Sequence, residues 1–333
     1  MGFTENCLNI LSMKAYQGIG NAWVHRNYRV GASIEEIVNA LNQKLNEKTS
    51  GTEFEQLREK YRSRLEKLLD NEHYDGAVAL GDDDFPFVRG TVKPGDRPTI
   101  LYYKGDLGLL DASRLNVTVI GLLNPTEQIK MRERAMVKDL LKNDVNIVSG
   151  LAFGCDGIAH EETLDQDGKT VAILPSPLND IMPAKNAPLA QRILNKGGLL
   201  ITEYITPFTT KRELTSRYIQ RDRLQALFCD AIILAVSYAS DSAQRWQLFG
   251  QKLDCGARHA MRCAKEYGIA RAVMYDGERD GENPMFDLNR DVLMEDDSPQ
   301  AIGGVDRIGV IEDILGSARK KRGGTMKQAD LFN

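Results

Sequence analysis

Short runs of Val, Ile and Leu alternate with longer helical patterns between Val117 and Met274, and this alternation narrows the possible folds more than any other feature. The runs are mostly apolar throughout, which is typical of strands covered on both faces. Strands separated by helices predict β-α-β crossovers and a parallel sheet. We therefore expect an α/β fold with a Rossmann-like, doubly wound, mainly parallel sheet. The predicted strands are Val117–Gly121, Val145–Ser149, Thr170–Leu174, Leu199–Thr202, Ala231–Val236 and Arg271–Met274, with helices at 126–143, 156–166, 187–197, 212–228 and 256–267.

The flanking segments have a different character. Apolar residues recur at helical spacings before Leu41, and a charged amphipathic helix is predicted over 52–70. Ala77–Leu80 and Ile100–Tyr103 predict short strands in a region rich in Gly, Pro and Asp. From Ser317 the chain is basic without a periodic apolar face, which predicts a flexible tail. We expect a small N-terminal helical domain at 1–75, a Rossmann-like domain at 76–290 and a C-terminal segment at 291–333.

The composition of the chain limits the partners and the cellular compartment that we expect for the protein. A net charge of -4 argues against indiscriminate nucleic-acid binding over the whole surface, although it allows a local basic patch. The five cysteines are scattered, which argues against a disulfide framework and fits a reducing compartment. We find no apolar run of membrane-spanning length and no secretion signal, so we expect a cytoplasmic protein without a membrane partner.

Three predicted strand ends carry residues suited to a nucleotide or phosphate, and two of them lie before and after the segment 149–160 in the sequence. In doubly wound sheets, ligands bind beyond the carboxyl ends of the strands, where glycines and helix N-termini expose N–H groups. One strand end combines Gly121 and Asn124 with Thr126, which is placed to cap the following helix. Another ends at Glu203, whose carboxylate suits a ribose hydroxyl or a base edge. A plain structural turn remains the alternative for the first.

The strand end from Ser149 to His160 is the centre of the predicted site. Gly150 and Gly154 permit tight turning beside a phosphate, and Asp156 is placed to cap the next helix. Simpler interpretations stand beside these. Asp156 can be only a helix cap, and His160 can be only a packed, hydrogen-bonded residue.

Three arginines follow on a predicted helix. Arg217 and Arg221 are four residues apart and share a face of that helix, whereas Arg223 points elsewhere. Guanidinium groups can grip a phosphate with two donors at once. The alternative is that the arginines are solvated or form ion pairs with nearby carboxylates, namely Asp222, Glu213 and Glu203.

Motifs for catalysis and for metal binding are missing. The sequence has no G-x-S-x-G elbow, Walker loop or H-E-x-x-H motif, so we expect a protein without enzymatic activity and without a cofactor. Cys255, His259 and Cys263 recur every four residues on one helix face. Structural zinc normally uses closer cysteine pairs and a fourth ligand, so we predict no metal site.

These segments together resemble the DprA/Smf family of DNA-processing proteins, from Leu8 to about Tyr275. The pattern Ser-Gly-Leu-Ala-x-Gly-x-Asp-x-x-Ala-His over 149–160 is similar to the most specific signature of that family, and 221–223 is similar to its Arg-Asn-Arg block. Further segments that look like the family lie at 17–22, 81–86, 101–105, 168–174, 183–186 and 197–204.

The resemblance implies a DNA-binding protein of recombination. It implies a helix-hairpin-helix or SAM-like N-terminal domain, and a positively charged pocket for the backbone of single-stranded DNA, lined by the Gly121 loop, the segment 149–160 and Arg221 with Arg223. It also implies a role in natural transformation and a recombinase partner, and the sequence leaves open whether the protein forms a homodimer. An alternative is a nucleotide-binding sensor or nucleotide hydrolase that uses the same pocket.

Departures from the family pattern favour a nucleotide-binding sensor, and an absent motif argues against a hydrolase. The first strand end carries Leu122 and Leu123 where the family usually has Ser and Arg, so a phosphate-binding arginine is missing. An unusual insertion at 237–253 holds Trp246 and Phe249. The glycine-rich motif of the similarly folded Lonely Guy phosphoribohydrolases is absent, which argues against the hydrolase.

The last residues of the sequence show a second resemblance. Gln328, Leu331 and Phe332 are spaced as in the short peptide that docks into the bacterial sliding clamp. Two apolar anchors and one polar contact on a disordered tail suit a pocket on a partner. We therefore expect the sliding clamp as a further partner.

Overall fold

The computed structural model describes residues 2–70, 72–304 and 306–329, with side chains as far as Lys320. Within these ranges nine strands form one sheet in the order β1-β2-β6-β5-β4-β3-β7-β8-β9. Both pairings of β2 are antiparallel, and all others are parallel. The strands are β1 Gly76–Ala79, β2 Ile100–Gly105, β3 Asn116–Ile120, β4 Asn146–Ser149, β5 Thr170–Leu174, β6 Leu199–Thr202, β7 Ala231–Leu234, β8 Ala270–Met274 and β9 Gln300–Ile302.

Helices precede the sheet and cover both of its faces. Four of them lie before β1, and α3 and α4 each begin with a serine capping box, at Ser33 and Ser50. The helices are α1 Glu5–Lys14, α2 Asn21–Asn27, α3 Ile34–Lys44, α4 Gly51–Leu69, α5 Glu127–Leu141, α6 Cys155–Asp165, α7 Ala187–Asn195, α8 Lys211–Leu227, α9 Ser242–Arg245, α10 Arg258–Tyr267, α11 Gly277–Asp280, α12 Asp287–Glu295 and α13 Arg307–Ala329.

The strand order places a switch point at β3. The chain runs from β3 through β4 and β5 to β6, and then returns to place β7 on the other side of β3. Loops that leave β3 and its neighbours therefore separate at the carboxyl edge, where a crevice forms. The strands beside this crevice are buried on both faces, as their apolar sequences predict.

Alternate residues of β3 point into different layers of the core. Val117 and Val119 pack with apolar residues of α5 and α13. Ile120 packs with residues of α8, α10 and α12 on the opposite face. Thr118 is buried as well, and its hydroxyl donates to the carbonyl of Gln225 in α8 at 2.7 Å. This bond fixes α8, and the arginines on it, relative to the centre of the sheet.

The prediction of a Rossmann-like α/β fold with a helical N-terminal part is confirmed, and the predicted strands lie within two residues of the observed ones. The flexible tail expected from Ser317 is not observed as such, because α13 continues through Ser317 to Ala329. Ile311, Ile314, Leu315 and Ala318 have helical spacing and are buried. None of the helices in the described part of the chain is long and apolar enough to cross a membrane.

The residues of the expected clamp-binding peptide cannot be placed against the fold. Gln328 lies in the part of α13 that is described as backbone. Leu331 and Phe332 lie outside the described residues. The peptide therefore stays a prediction.

Candidate functional site

A cleft of about 390 Å³ opens beyond the carboxyl ends of β3 and β4, at the switch point of the sheet. Much of its lining is apolar and aromatic, with Leu123, Phe153, Pro183 and Tyr218 among the lining residues. Leu123 and Phe153 are each 41% exposed, although both are large hydrophobic residues. A concave, largely apolar surface with a few polar groups is the usual form of a small-ligand site.

Two glycines let the loops after β3 and β4 pack against each other. Gly154 is the N-cap residue of α6 and has a φ of 69°, and a Cβ there would lie 2.2 Å from the carbonyl oxygen of Leu122. The Cys155 N–H donates to that same oxygen at 3.0 Å. A Cβ on Gly121 would lie 2.6 Å from the Cys155 sulfur. Glycine is therefore needed for the close approach of the two loops, and the tight turn predicted at Gly154 is observed.

Gly150 makes room for Arg221, which reaches the cleft from α8. A Cβ on Gly150 would lie 1.3 Å from Nη1 of Arg221, so no larger residue fits without displacing the guanidinium. The Gly150 N–H donates to Oδ2 of Asp156 at 3.1 Å, and this carboxylate lies 3.5 Å from Nη1 of Arg221. Asp156 is therefore part of the cleft, and its expected role as a helix cap is wrong because Gly154 holds that position.

Arg221 is 6% exposed. Neighbouring carboxylates offset its positive charge, and some of its N–H groups have no hydrogen-bond partner among the described residues. Nε lies 3.2 Å from Oδ1 of Asp222, and the guanidinium lies 5.5 Å from the centre of the Tyr218 ring. Within the described ranges, neither Nε nor Nη1 has a partner at hydrogen-bonding geometry. Buried N–H groups without acceptors are costly, and Arg221 lines the cleft, so an acceptor atom brought to this guanidinium by a ligand would be favourable.

Three carboxylates line the same cleft, at Asp156, Asp222 and Asp254. Burial raises the pKa of Asp222 to about 7; the Arg221 charge opposes this shift, and the Asp156 and Asp254 charges add to it. Burial also raises the pKa of Asp156, against the effect of Arg221. One arginine among three carboxylates differs from the positively charged pocket that the family resemblance implies.

Asp254 closes the cleft from the side of the insertion. Its Oδ2 accepts from the Leu123 N–H at 3.0 Å, and its Oδ1 accepts from the Gly256 N–H at 3.1 Å. The contact joins residues 131 positions apart in the chain. Gly256 and Ala257 also line the cleft. The segment that ends the insertion is therefore held against the loop after β3.

Ser149 and His160 are buried in the core next to the cleft and are not among the residues that line it. Ser149 is fully buried and its hydroxyl donates to the Val119 carbonyl at 2.7 Å. His160 is also fully buried, with Nδ1 2.7 Å from the Thr170 hydroxyl. Burial, together with the Arg221 charge, lowers the pKa of His160 to about 3. His160 is therefore a neutral, packed residue, which was the simpler of the two interpretations.

The other two arginines are engaged in ion pairs away from the cleft. Arg217 contacts Glu213 at 2.6 Å, and its guanidinium lies 4.3 Å from the centre of the Tyr204 ring. Arg223 donates two hydrogen bonds to Glu203, at 2.8 and 2.9 Å. These pairs are the alternative that the sequence left open, and Glu203 is accordingly committed to a protein partner.

The loop between β3 and α5 carries two more predicted site residues. Asn124 and Thr126 are both exposed. Thr126 occupies the N-cap position of α5 without a side-chain hydrogen bond to the helix. Neither residue is among those that line the cleft. Of the twelve residues predicted for this site, the cleft is lined by Gly121, Asp156 and Arg221.

Several lining residues were not predicted as site residues. Phe153 lies inside the signature segment, where its exposure could have been suspected from its place in a glycine turn. Asp222 was considered only as an ion-pair partner, and Asp254 is too distant in sequence to be linked with the cleft. No group of three or more metal-ligating side chains occurs in the part of the chain that the structure describes, and Cys255, His259 and Cys263 form none.

Comparison with known proteins relates the chain to DNA-processing proteins. Residues 77–243 match the model of a family described as DNA recombination-mediator protein A. Protein Smf of Borreliella burgdorferi is 33% identical over 139 residues, which is 42% of this chain and 43% of that protein. DNA processing protein DprA of Streptococcus pneumoniae is 31% identical over 159 residues, 48% of this chain and 53% of that protein. The chain thus spans less than two thirds of these curated relatives.

Two solved structures share the fold. DNA processing protein A from Streptococcus pneumoniae aligns over 91% of this chain and 95% of its own, with a TM-score of 0.66 and 21% identity. DNA processing protein A from Helicobacter pylori aligns over 73% of this chain and 93% of its own, with a TM-score of 0.52 and 26% identity. The second structure was determined to describe the single-stranded DNA binding mode of that protein.

Proposed function

The chain belongs to the DNA recombination-mediator protein A family, and from this premise we propose that it binds single-stranded DNA in the cleft beyond β3 and β4. The observation that carries the proposal is Arg221, whose guanidinium lines an aromatic cleft and whose buried Nε and Nη1 have no hydrogen-bond partner among the described residues. The family match covers the strands and loops that build this cleft, except for the segment with Asp254, Gly256 and Ala257. The related Helicobacter pylori structure concerns single-stranded DNA binding by that protein.

The chemistry of the cleft suits a single strand better than a duplex. Proteins bind single strands by stacking bases on aromatic side chains and by contacting the backbone with basic groups. Phe153 and Tyr218 supply aromatic surface, and Arg221 supplies donors. Bases in a duplex are already stacked and paired, so their faces are not available to a cleft of about 390 Å³.

Charge balance limits how strongly the cleft itself attracts phosphate. Asp156 and Asp222 lie within ion-pair distance of Arg221 and offset its charge. The slope of log affinity against log salt therefore should be shallow for contacts inside the cleft. Exposed basic residues close to lining residues in sequence, Lys185 and Arg258, would supply most of the salt-dependent attraction.

The role we propose is binding without catalysis, in DNA processing and recombination. A role on cellular DNA would place the protein in the cytoplasm. The proposed protein partners are a recombinase loaded onto the bound strand, a second copy of the chain and the sliding clamp.

Deletion of 328–333 tests the clamp as a partner. The deletion should abolish co-elution with purified clamp and leave DNA binding intact, and unchanged co-elution would contradict the proposal.

Fluorescence anisotropy with a labelled thymidine oligonucleotide tests the binding proposal. Arg221→Lys keeps the charge but removes the planar fork, so we expect binding to weaken about tenfold, roughly 1.4 kcal/mol. Arg192→Lys is the matched control, because Arg192 is exposed and paired with Asp165 away from the cleft. Absence of binding by the unsubstituted protein at 50 mM salt would rule the proposal out.

A nucleotide-binding sensor or hydrolase is the second candidate. The observation in its favour is the acidic character of the cleft, because carboxylates suit ribose hydroxyls and base donors better than phosphates. Free mono- and dinucleotides should then raise the melting temperature, and this rise should disappear in Asp222→Asn. No stabilisation by any nucleotide would remove this candidate.

A further inference from the structure

Arg221 and Asp222 place a donor group and an acceptor group side by side in the cleft. Nε of Arg221 and Oδ1 of Asp222 are 3.2 Å apart, and both residues line the cavity. Nε and Nη1 of Arg221 are buried without a hydrogen-bond partner among the described residues, and the part of the guanidinium that lines the cavity is left to meet a ligand. A ligand that meets both side chains must therefore carry an acceptor next to donors.

Asp222 differs from the other two carboxylates of the cleft. Asp156 accepts from the Gly150 N–H, and Asp254 accepts from the Leu123 and Gly256 N–H groups. For the chain as described, no backbone N–H donates to Asp222, and its contact is the ion pair with Arg221. An ionised carboxylate has about four acceptor positions, so Asp222 retains the capacity to accept two further hydrogen bonds.

Guanine is the base that matches this pattern. Its O6 acceptor lies next to the N1–H donor, which lies next to the N2 amino donors. Cytosine and adenine present one donor group beside an acceptor, and thymine presents one donor between two acceptors. A carboxylate set against those three bases would leave one oxygen facing a ligand acceptor, which is unfavourable in a desolvated site.

The aromatic lining supplies the remaining requirement of a base pocket. Phe153 is 41% exposed and lines the cleft, and the Tyr218 ring lies 5.5 Å from the Arg221 guanidinium. A flat base can stack on such rings, with a contribution of roughly 1–3 kcal/mol per base in single-strand binding proteins. The cavity of about 390 Å³ admits a purine together with part of its sugar.

We propose that the cleft is a guanine-selective pocket for an unpaired base, in which Asp222 accepts from N1–H and the N2 amino group while Arg221 donates to O6. This inference rests on the proposed binding of single-stranded DNA. It assigns the phosphate contacts to the rim of the cleft and the base contacts to its floor. It also explains why a site for a polyanion contains three carboxylates.

Anisotropy competition with three oligonucleotides tests the inference. The probes are a twelve-residue oligothymidylate, the same strand with one central dG, and the same strand with central deoxyinosine, which lacks the N2 amino group. We expect the dG strand to bind about tenfold more tightly than oligothymidylate, and the deoxyinosine strand to lose most of that gain. Asp222→Asn should abolish the dG preference, so that the variant binds the dG strand and oligothymidylate with equal affinity.

Asp165→Asn is the charge-matched control, because Asp165 is exposed at the end of α6 and pairs with Arg192. It should retain the preference for dG. If the unsubstituted protein binds oligothymidylate without any preference for dG, the guanine pocket is refuted and the DNA-binding proposal stands. If no strand binds, both fail. A preference that persists in folded Asp222→Asn refutes the role of Asp222, and the deoxyinosine comparison decides the case if that variant does not fold.

Discussion

Glu133 should make the stability of the protein depend on pH in a measurable way. It lies on α5 with no exposed surface, and neither carboxyl oxygen has a hydrogen-bond partner in the described part of the chain. Burial raises its pKa well above the ordinary value, and the nearby Cys155 thiol opposes this shift only in part. The folded protein therefore keeps Glu133 protonated at pH values where the unfolded chain has released the proton.

The sign and size of the effect follow from proton linkage. A raised folded-state pKa gives stability that is fully present below the unfolded pKa of about 4.3 and is lost as the pH rises toward the folded-state value. Within that window each pH unit removes about 1.4 kcal/mol of unfolding free energy. The glutamine in Glu133→Gln cannot titrate. The unfolding free energy of the variant should therefore rise relative to that of the unsubstituted protein by about 1.4 kcal/mol for each pH unit.

Urea denaturation at half-unit steps from pH 5 to pH 7.5 measures the difference. The slope against pH is the test, because a constant offset from burying the amide does not affect it. Glu127→Gln on the same helix is the control, since that side chain is 83% exposed and its difference should stay flat. A flat difference for Glu133→Gln would show that Glu133 does not titrate differently in the folded state, and the reasoning would be refuted.

Three further predictions concern the cleft. Gly154→Ala should lower the unfolding free energy by about 1–3 kcal/mol or more in a thermal melt, because the residue has a φ of 69° and its Cβ would meet backbone carbonyls; an unchanged melting temperature would contradict the loop geometry. Binding of oligothymidylate should strengthen as the pH falls from 8 to 6. Burial raises the pKa of Asp222 to about 7, so Asp222 takes up a proton in this range and a negative charge near Arg221, Asp156 and Asp254 is removed. Anisotropy measured against pH should show no such change in Asp222→Asn. Leu123→Arg should tighten oligothymidylate binding about tenfold by adding a cation at the cleft edge, and unchanged affinity would mean that the strand does not pass this loop.

The alternation of apolar runs was sufficient to predict the centre of the sheet. Buried parallel strands need apolar side chains on both faces, so they stand out from the helices between them. The sequence predicts the tail less well, because the basic stretch from Ser317 obscures a helix that begins before it. Ala318 continues the helical spacing of Ile311 and Ile314, and all three pack in the core beside the sheet.

Long-range contacts explain why the site was predicted only in part. Glycines in the signature segment could be inferred, since turns at strand ends require them. The pairing of Arg223 with Glu203 depends on how α8 packs beside β6, and the closure of the cleft by Asp254 joins loops 131 positions apart. Neither contact follows from spacing along the chain.

Photochemical crosslinking with a thymidine strand that carries a single 5-iodouracil tests the location of the binding site most directly. Iodouracil couples to aromatic side chains on which it stacks, and peptide mapping identifies them. The account predicts adducts on Phe153 or Tyr218, which line the cleft together with Arg221. Adducts confined to other aromatic residues, such as Trp23 in the N-terminal helices, would contradict it.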